Sequence, residues 1–470
     1  MRRTKIVATI GPATSAPATL RPLLEAGVDV VRLNAAHADM ATHSQNARLV
    51  RETAAAIGRS VGILVDLPGP KIRSGLVSGD AVELESGQEF LLKGTDDGFG
   101  NTRQVATTLP DLARWVRPDD EVYLADGAIV LRVLESVAAD VRTEVVRGGT
   151  LRSRKGMHLP RAEAHVDPFT PRDAQALEMA IAAKVDFLGL SFVRRAEDVE
   201  RVRALLPKRG ARPALVPKIE TATAVDNLAG IINAADAVMV ARGDLGIQLP
   251  ARRVPLLQKE IIRACNLAGK PVITATQMLE SMTRSPLPTR AEVNDVANAV
   301  LDGTDALMLS EETAVGLFVR ETVRMMSEVA DAAEGWPHDR VDPTAIVGGD
   351  ADRVAWAVAH AAVQAAEDLG VAAILCPTRS GQTARRVAAF RPRVPIAGIA
   401  SASAVLGGLS LVWGVRPLLL AENPKEEPLQ AAVNAARLAG IVREGDLVVV
   451  VFGSAGPRAG STDSVRVVRV

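Results

Sequence analysis

Four stretches decide the fold: PALVPKIE (213–220), AVMVARGD (237–244), PVITATQ (271–277) and ALMLSEE (306–312). Each is a short apolar run that ends in charged or hydroxyl side chains. Runs that are apolar throughout suit strands of a parallel sheet covered on both faces. Working outward, the same unit recurs as TKIVATI (4–10), VDVVRLN (28–34), VGILVDL (61–67) and VDFLGLSFV (185–193). Segments with helical spacing follow most of the runs, for example PATLRPLLEAG (17–27) and RRAEDVERVRALLPKRG (194–210). Eight strand–helix units predict an α/β fold of the (β/α)8 barrel type, whose sites are built at the carboxyl ends of the strands. Arg32, Asn34, Asp66, Lys218, Glu220, Asp244 and Thr276 all stand at those ends.

The alternation breaks after the third run. Residues 72–167 contain AVELESGQEFLL, TRQVATT, EVYLADGAIVLRVL and DVRTEVVRGG, short runs separated by Gly and Asp turns. They predict a small β domain inserted in a barrel loop, where it can act as a lid. The barrel then comprises 1–71 and 168–340. After WPHDRVDPTAIVGGD (336–350), which reads as a linker, residues 341–470 return to alternating helices and strands: AAILCPT, VPIAGIA, RPLLLA, DLVVVVF and SVRVVRV. These predict a C-terminal open α/β sheet of five strands.

Composition narrows the function class. The chain has 470 residues, 48% hydrophobic and 23% charged, with 3% aromatic. Such a chain can build several cores from Ala, Val, Leu and Ile. Fifty-five basic residues balance fifty-five acidic ones, so no global field draws it to nucleic acid or membrane. Cys265 and Cys376 lie far apart and show neither disulfide nor zinc spacing. The N-terminal apolar run is too short for a signal peptide, and no apolar stretch reaches the length of about 20 residues that spans a bilayer. A cytoplasmic protein is expected.

The strongest chemical signal is KIE (218–220) with ARGDLG (241–246). Glu220 and Asp244 are expected to end adjacent strands, roughly 5 Å apart. Two carboxylates at that separation, completed by water and an anionic substrate, suit Mg²⁺. Lys218 points the same way as Glu220 because side chains alternate with period two. A cation beside a metal suits a substrate whose negative charge moves during reaction. Taken singly, each residue is more often structural; with Arg32, Asn34 and Asp66 they read as a site. There is no G-x-x-x-x-G-K-[ST] loop, so a nucleotide would bind otherwise.

These motifs resemble a known family. TKIVATIGPAT, RLN with His37, GPKIR (69–73), KGMHLP (155–160), SFVR (191–194), KIE, ARGDLG, GKPVITATQMLESM (269–282) and PTRAEVNDVANAVLDGTDALMLS (288–310) occur in the order of the motifs of pyruvate kinase. The resemblance implies transfer of a phosphoryl group from phosphoenolpyruvate to ADP, the last step of glycolysis, with Mg²⁺ or Mn²⁺, in a homotetramer. It implies that Arg32 and Lys218 hold the phosphoryl group and that Glu220 and Asp244 bind the metal. The loop and helix start around Ala241, Arg242, Gly243 and Asp244 would present backbone N–H groups to the substrate carboxylate, and Thr276 would stand by the methylene carbon. Asn34, His37, Arg73 and Lys155 would meet the nucleotide phosphates.

The sequence departs from that pattern at Ala35, Ala36 and Ala38, and at Leu67, Lys71, Gln248 and Glu311. Ala36 and Leu67 lack the side-chain oxygens that hold K⁺ in K⁺-requiring relatives. Lys71 replaces a usual Glu, and the expectation is that its ammonium stands in for K⁺ among Asn34 and Asp66, so that K⁺ is not required. The loop Thr378, Arg379, Ser380, Gly381, Gln382, Thr383 resembles one that binds a sugar phosphate effector; an ordinary capped turn is an equal reading, and a nucleotide effector is a further option. Two other functions stay open at this point: a Mg²⁺-dependent lyase acting on a pyruvate enolate, and a weakly active paralogue serving as a sensor.

Overall fold

The computed structural model describes residues 2–95, 98–109, 111–125, 127–159, 166–207, 212–336, 350–420, 427–453 and 462–470. All eight barrel runs are strands: β1 (Lys5–Thr9), β2 (Val30–Asn34), β3 (Gly62–Leu67), β4 (Phe187–Leu190), β5 (Ala214–Ile219), β6 (Val238–Ala241), β7 (Val272–Ala275) and β8 (Ala306–Leu309). Each pairs in parallel with its neighbours in sequence order, and β1 closes on β8. The runs are apolar throughout because both faces are covered. Val7, Val30, Leu64, Phe187, Val216, Met239, Ile273 and Met308 fill the interior. Their neighbours, such as Ile6, Val31, Ile63, Leu188, Leu215 and Val240, pack against the surrounding helices. Each fully buried aliphatic side chain contributes roughly 1.5–3 kcal/mol.

Between β3 and β4 the chain forms a separate sheet. Its strands run Met157–His158, Glu121–Leu124, Ile129–Val137, Asp140–Arg147, Glu89–Lys93 and Gln104–Ala106 in spatial order, beside a two-stranded pair of Ala81–Leu84 with Gly149–Arg152. The pairing is antiparallel except between Glu89–Lys93 and Gln104–Ala106. Phe90, Leu92, Leu124, Leu131 and Val141 form a core of its own. The entering and leaving segments are tied to each other. Ser74 N–H donates to Lys155 O at 2.8 Å, Lys155 N–H to Ser74 Oγ at 3.0 Å, and Met157 N–H to Ile72 O at 3.0 Å.

The C-terminal sheet contains β9 (Ala373–Pro377), β10 (Ile396–Ala400), β11 (Val415–Leu419), β12 (Leu447–Phe452) and β13 (Ser464–Arg469), in the order β11-β10-β9-β12-β13. All pair in parallel except β13, which runs antiparallel along β12. Most of the expected linker, from residue 337 to 349, lies outside the described residues. Among the described residues no helix is long and apolar enough to cross a membrane.

Candidate active site

Period two carries the barrel interior upward into its carboxyl-end mouth. Two residues beyond Val30 is Arg32; beyond Leu64 is Asp66; beyond Val216 come Lys218 and then Glu220. Arg32 donates from Nε to Asp66 Oδ2 at 2.9 Å, from a terminal nitrogen to the same oxygen, and from the other to Thr9 Oγ1 at 3.2 Å. Asp66 Oδ1 is buried without a hydrogen-bond partner. Burial opposes its charge, but Lys218, Arg32 and Lys71 outweigh burial and hold the carboxyl below the ordinary carboxylate range.

Lys218 Nζ lies 2.9 Å from Glu220 Oε2, with the two side chains 12% and 1% exposed. Nζ also donates to Ser191 Oγ at 3.0 Å. Burial works against the ammonium, yet Asp66, Glu220 and Asp244 raise its pKa above the ordinary lysine value. Burial lifts the Glu220 carboxyl above its usual range; Lys218 opposes this and Asp244 adds to it. Glu220 Oε1 accepts the Phe192 N–H at 2.6 Å, while Oε2 meets Lys218 as an ion pair and has no hydrogen-bond partner.

Asp244 lies past the strand end read from the run AVMVARGD, at the helix start that the resemblance implied. β6 ends at Ala241, and Arg242–Gln248 is a helix with Asp244 in its first turn. A carboxylate there is favoured by the helix dipole, and Gly243-Asp244 lacks the β-branched residues that would extend the strand. Asp244 nevertheless acts on both Lys218 and Glu220. A buried carboxylate oxygen without a hydrogen bond, facing a second carboxylate that disfavours its charge, fits a hard divalent cation such as Mg²⁺ or Mn²⁺. Among the described residues no group of three or more His, Cys, Asp or Glu could hold a metal.

Arg242 contributes its side chain as well as its backbone. It donates to Ala275 O at 3.3 Å, Thr276 O at 2.6 Å, Gln258 Oε1 at 3.2 Å and Asp295 Oδ1 at 2.8 Å. These bonds hold Thr276 and Gln277 in left-handed conformations, φ +69° and +54°, which non-glycine residues adopt only when their surroundings require it. Gly243 N–H donates to Thr276 Oγ1 at 2.8 Å. Thr276 is thereby fixed beside the start of the helix.

On the opposite side of the mouth, Asn34 Oδ1 accepts the Ala36 N–H at 3.1 Å and sets the turn that displays His37. Arg172 supports this turn, donating to Ala35 O at 2.9 Å and Ala38 O at 3.0 Å. Partial burial lowers the His37 pKa, and Arg73, Lys71, Arg32 and Arg172 lower it further. The cations therefore converge here. Arg73 and Lys155 sit on the paired segments leading into and out of the inserted sheet, and Arg73 donates to Arg154 O at 3.1 Å. Lys71 and Lys155 are exposed.

The C-terminal loop is a local turn. Thr378 Oγ1 accepts the Gly381 N–H at 2.9 Å, and Gly381 takes φ +83° to start the helix Gln382–Ala389. Ser380 is exposed, whereas the Thr383 hydroxyl is buried 2.9 Å from that of Thr462.

Comparison with known proteins gives this arrangement its family. The pyruvate kinase barrel domain matches residues 1–323, and the pyruvate kinase alpha/beta domain matches residues 356–468. The chain belongs to the pyruvate kinase family. Pyruvate kinase 2 of Synechocystis is 43% identical, the match covering 99% of this chain and 79% of that protein. The pyruvate kinase of Thermotoga maritima is 38% identical with all of both chains covered. A crystal structure of a pyruvate kinase from Cryptosporidium parvum superposes with a TM-score of 0.89 at 33% identity, covering 100% of this chain and 96% of that one. Within this pyruvate kinase site, sequence reasoning overlooked Ser191, Phe192, Arg172 and the Arg242 side chain. Ser191 and Phe192 open the SFVR motif, which was the one available signal for them.

Proposed function

We propose that, in the transfer of a phosphoryl group from phosphoenolpyruvate to ADP, Lys218 is the principal charge partner of the group in flight. The observation that carries this reading is the half-buried Lys218, kept protonated by Asp66, Glu220 and Asp244 and joined by Arg32 at the barrel mouth. Such a transfer requires little covalent help from the protein; positioning and charge stabilisation dominate. Arg32 and Lys218 hold the phosphoryl group. Glu220 and Asp244 hold Mg²⁺ or Mn²⁺, which supplies positive charge to the enolate and carboxylate of pyruvate. The backbone around Ala241, Arg242, Gly243 and Asp244 receives the substrate carboxylate, which must compete with Thr276 for the Gly243 N–H. Thr276 stands at the methylene carbon, where a water delivers the proton. Asn34, His37, Arg73 and Lys155 take the nucleotide phosphates, and the ties between residues 72–74 and 155–157 let the inserted domain carry Arg73 and Lys155 together. The whole-chain likeness supports a homotetramer, which light scattering checks.

Lys218→Met tests the assignment. In a coupled assay with phosphoenolpyruvate, ADP and Mg²⁺, turnover should fall by roughly 10²–10³, the scale for one transition-state charge partner. Mn²⁺ binding to the resting enzyme should persist. Near-normal turnover would overturn the reading.

Two finer readings belong with it. Lys71 takes the place of K⁺ beside Asn34 and Asp66: Ala36 and Leu67 offer no side-chain oxygen, and Lys71 adds to the field that lowers Asp66. Turnover in tetramethylammonium should match turnover in K⁺ at fixed ionic strength. The loop of Thr378, Ser380, Gly381 and Thr383 takes a sugar phosphate or nucleotide monophosphate, although the Thr383 hydroxyl must first leave Thr462. Absence of any kinetic response to such effectors retires that reading.

A further inference from the structure

The corner at the end of β4 touches both charged residues at the end of β5. Ser191 is buried, 7% exposed. Its Oγ accepts from Lys218 Nζ at 3.0 Å and donates to Leu67 O at 2.7 Å. The direction is fixed, because an ammonium can only donate and a carbonyl can only accept. The hydroxyl is thus a single bridge from the last peptide of β3 to the ammonium on β5. The next residue, Phe192, takes φ +57°, and in that conformation its N–H reaches Glu220 Oε1. A bulky side chain adopts such a backbone only where its surroundings enforce it. Its ring packs on Gly69, where an added Cβ would lie 2.6 Å from Phe192 Cδ2. Two adjacent residues therefore hold, separately, the two members of the Lys218–Glu220 pair.

We propose that Ser191 is a positioning residue for phosphoryl transfer, acting through Lys218. Resting on the reading of Lys218 given above, it assigns Ser191 a defined task. Glu220 draws the ammonium toward the metal side at 2.9 Å, and the Ser191 hydroxyl anchors it from the barrel wall, so that Nζ keeps its place when the negative charge of the substrate moves. Without the hydroxyl, Nζ can swing on its four-carbon stem toward either Glu220 or Asp66, both of which attract it.

The experiment uses the full-length enzyme with Ser191→Ala, Ser191→Thr, Lys218→Met and the double variant Ser191→Ala with Lys218→Met. Ser191→Ala should lower kcat about 10- to 100-fold, the scale of one hydrogen bond to a charged group, with KM for phosphoenolpyruvate and ADP little changed. Ser191→Thr keeps the hydroxyl and should restore most of the rate. In the Lys218→Met background Ser191→Ala should cost nothing further, because the two act as one unit. Mn²⁺ binding to the resting Ser191→Ala enzyme, followed by electron paramagnetic resonance, should stay unchanged, since Glu220 is held by Phe192. An unchanged kcat in Ser191→Ala, an equal loss in both backgrounds, or a parallel loss of Mn²⁺ affinity overturns the proposal. If Lys218→Met itself turns over normally, the underlying reading falls with it; if only Ser191→Ala is silent, the reading of Lys218 stands.

Discussion

The two ends of the barrel use carboxylates in opposite ways. At the amino end, four aspartates precede alternate strands: Asp29 before β2, Asp186 before β4, Asp236 before β6 and Asp305 before β8. Each accepts a backbone N–H from the strand before: Ile6 at 2.9 Å, Ile63 at 2.8 Å, Leu215 at 2.8 Å and Val272 at 3.0 Å. Each also pairs with an arginine from outside the barrel sheet: Arg2 at 2.9 Å, Arg51 at 2.6 Å, Arg203 at 3.1 Å and Arg391 at 3.1 Å. At the carboxyl end, Asp66 Oδ1 and Glu220 Oε2 are buried with no hydrogen bond. The lower carboxylates are each engaged by a strand N–H and an arginine within the fold. The upper ones each keep one oxygen without a hydrogen bond, which leaves it available to ligands.

This contrast can be broken in either direction. Glu220→Gln should reduce turnover by roughly 10³-fold, at the upper end for one electrostatic partner. Its midpoint of urea unfolding should equal or exceed that of the wild type, because burial already disfavours the Glu220 charge and Lys218 keeps Asp66 and Asp244 as partners. A large loss of stability would make Glu220 a structural residue like the lower aspartates.

Asp29→Asn should do the reverse. It leaves Arg2, Lys5 and Arg59 facing one another without their shared anion, and breaking a buried pair in this way costs about 3 kcal/mol. The activity of the folded fraction should be unchanged. Its pH dependence follows from sign. Burial opposes the Asp29 charge, but Arg2, Lys5 and Arg59 win and lower its pKa. The folded value lies below the unfolded one, so the stabilisation is complete above the ordinary carboxylate range and disappears as pH falls through the folded value. The gap between wild type and Asp29→Asn, measured by urea unfolding, should therefore close as pH drops below about 4. A gap that persists in acid would point to packing rather than charge.

The sequence exposed the upper end more readily than the lower. Apolar runs located all eight strands, and period two correctly set Lys218 and Glu220 side by side. It could not supply what depends on closure between neighbouring strands. Ser191 reaches Lys218 across the β4–β5 pairing, and nothing in either run announces that bond. The run AVMVARGD looks continuous and by itself places Asp244 at a strand end, whereas the chain turns helical at Arg242, as only the resemblance implied. The four lower aspartates stand in plain view in VDVV, VDFL, ADAV and TDAL. Each looks like an isolated acidic residue until its arginine, supplied from as far away as the C-terminal domain in Arg391, is brought to it by the fold.

The smallest effect concerns the turns that deliver those aspartates. Two residues before Asp29 and Asp305 stand Gly27 and Gly303, with φ +118° and +94°. At the matching place before Asp186 stands Lys184, in the left-handed region at φ +49°. A side chain there costs about 1–2 kcal/mol, while glycine loses back about 0.4–1 kcal/mol through the freer unfolded chain. Lys184→Gly should therefore stabilise the protein by a net of about 0.5–1 kcal/mol, read as a higher urea midpoint with unchanged slope. Turnover should not move, because the turn lies at the end of the barrel remote from Lys218 and Glu220. The four left-handed residues at the other end, Ala38, Phe192, Thr276 and Gln277, hold the proposed site residues or the loops beside them, so relaxing them should lower turnover. If Lys184→Gly instead destabilises the enzyme, the Arg51 bond to the Lys184 carbonyl at 3.2 Å depends on that backbone being held rigid, and the lower end too maintains its charges by strain.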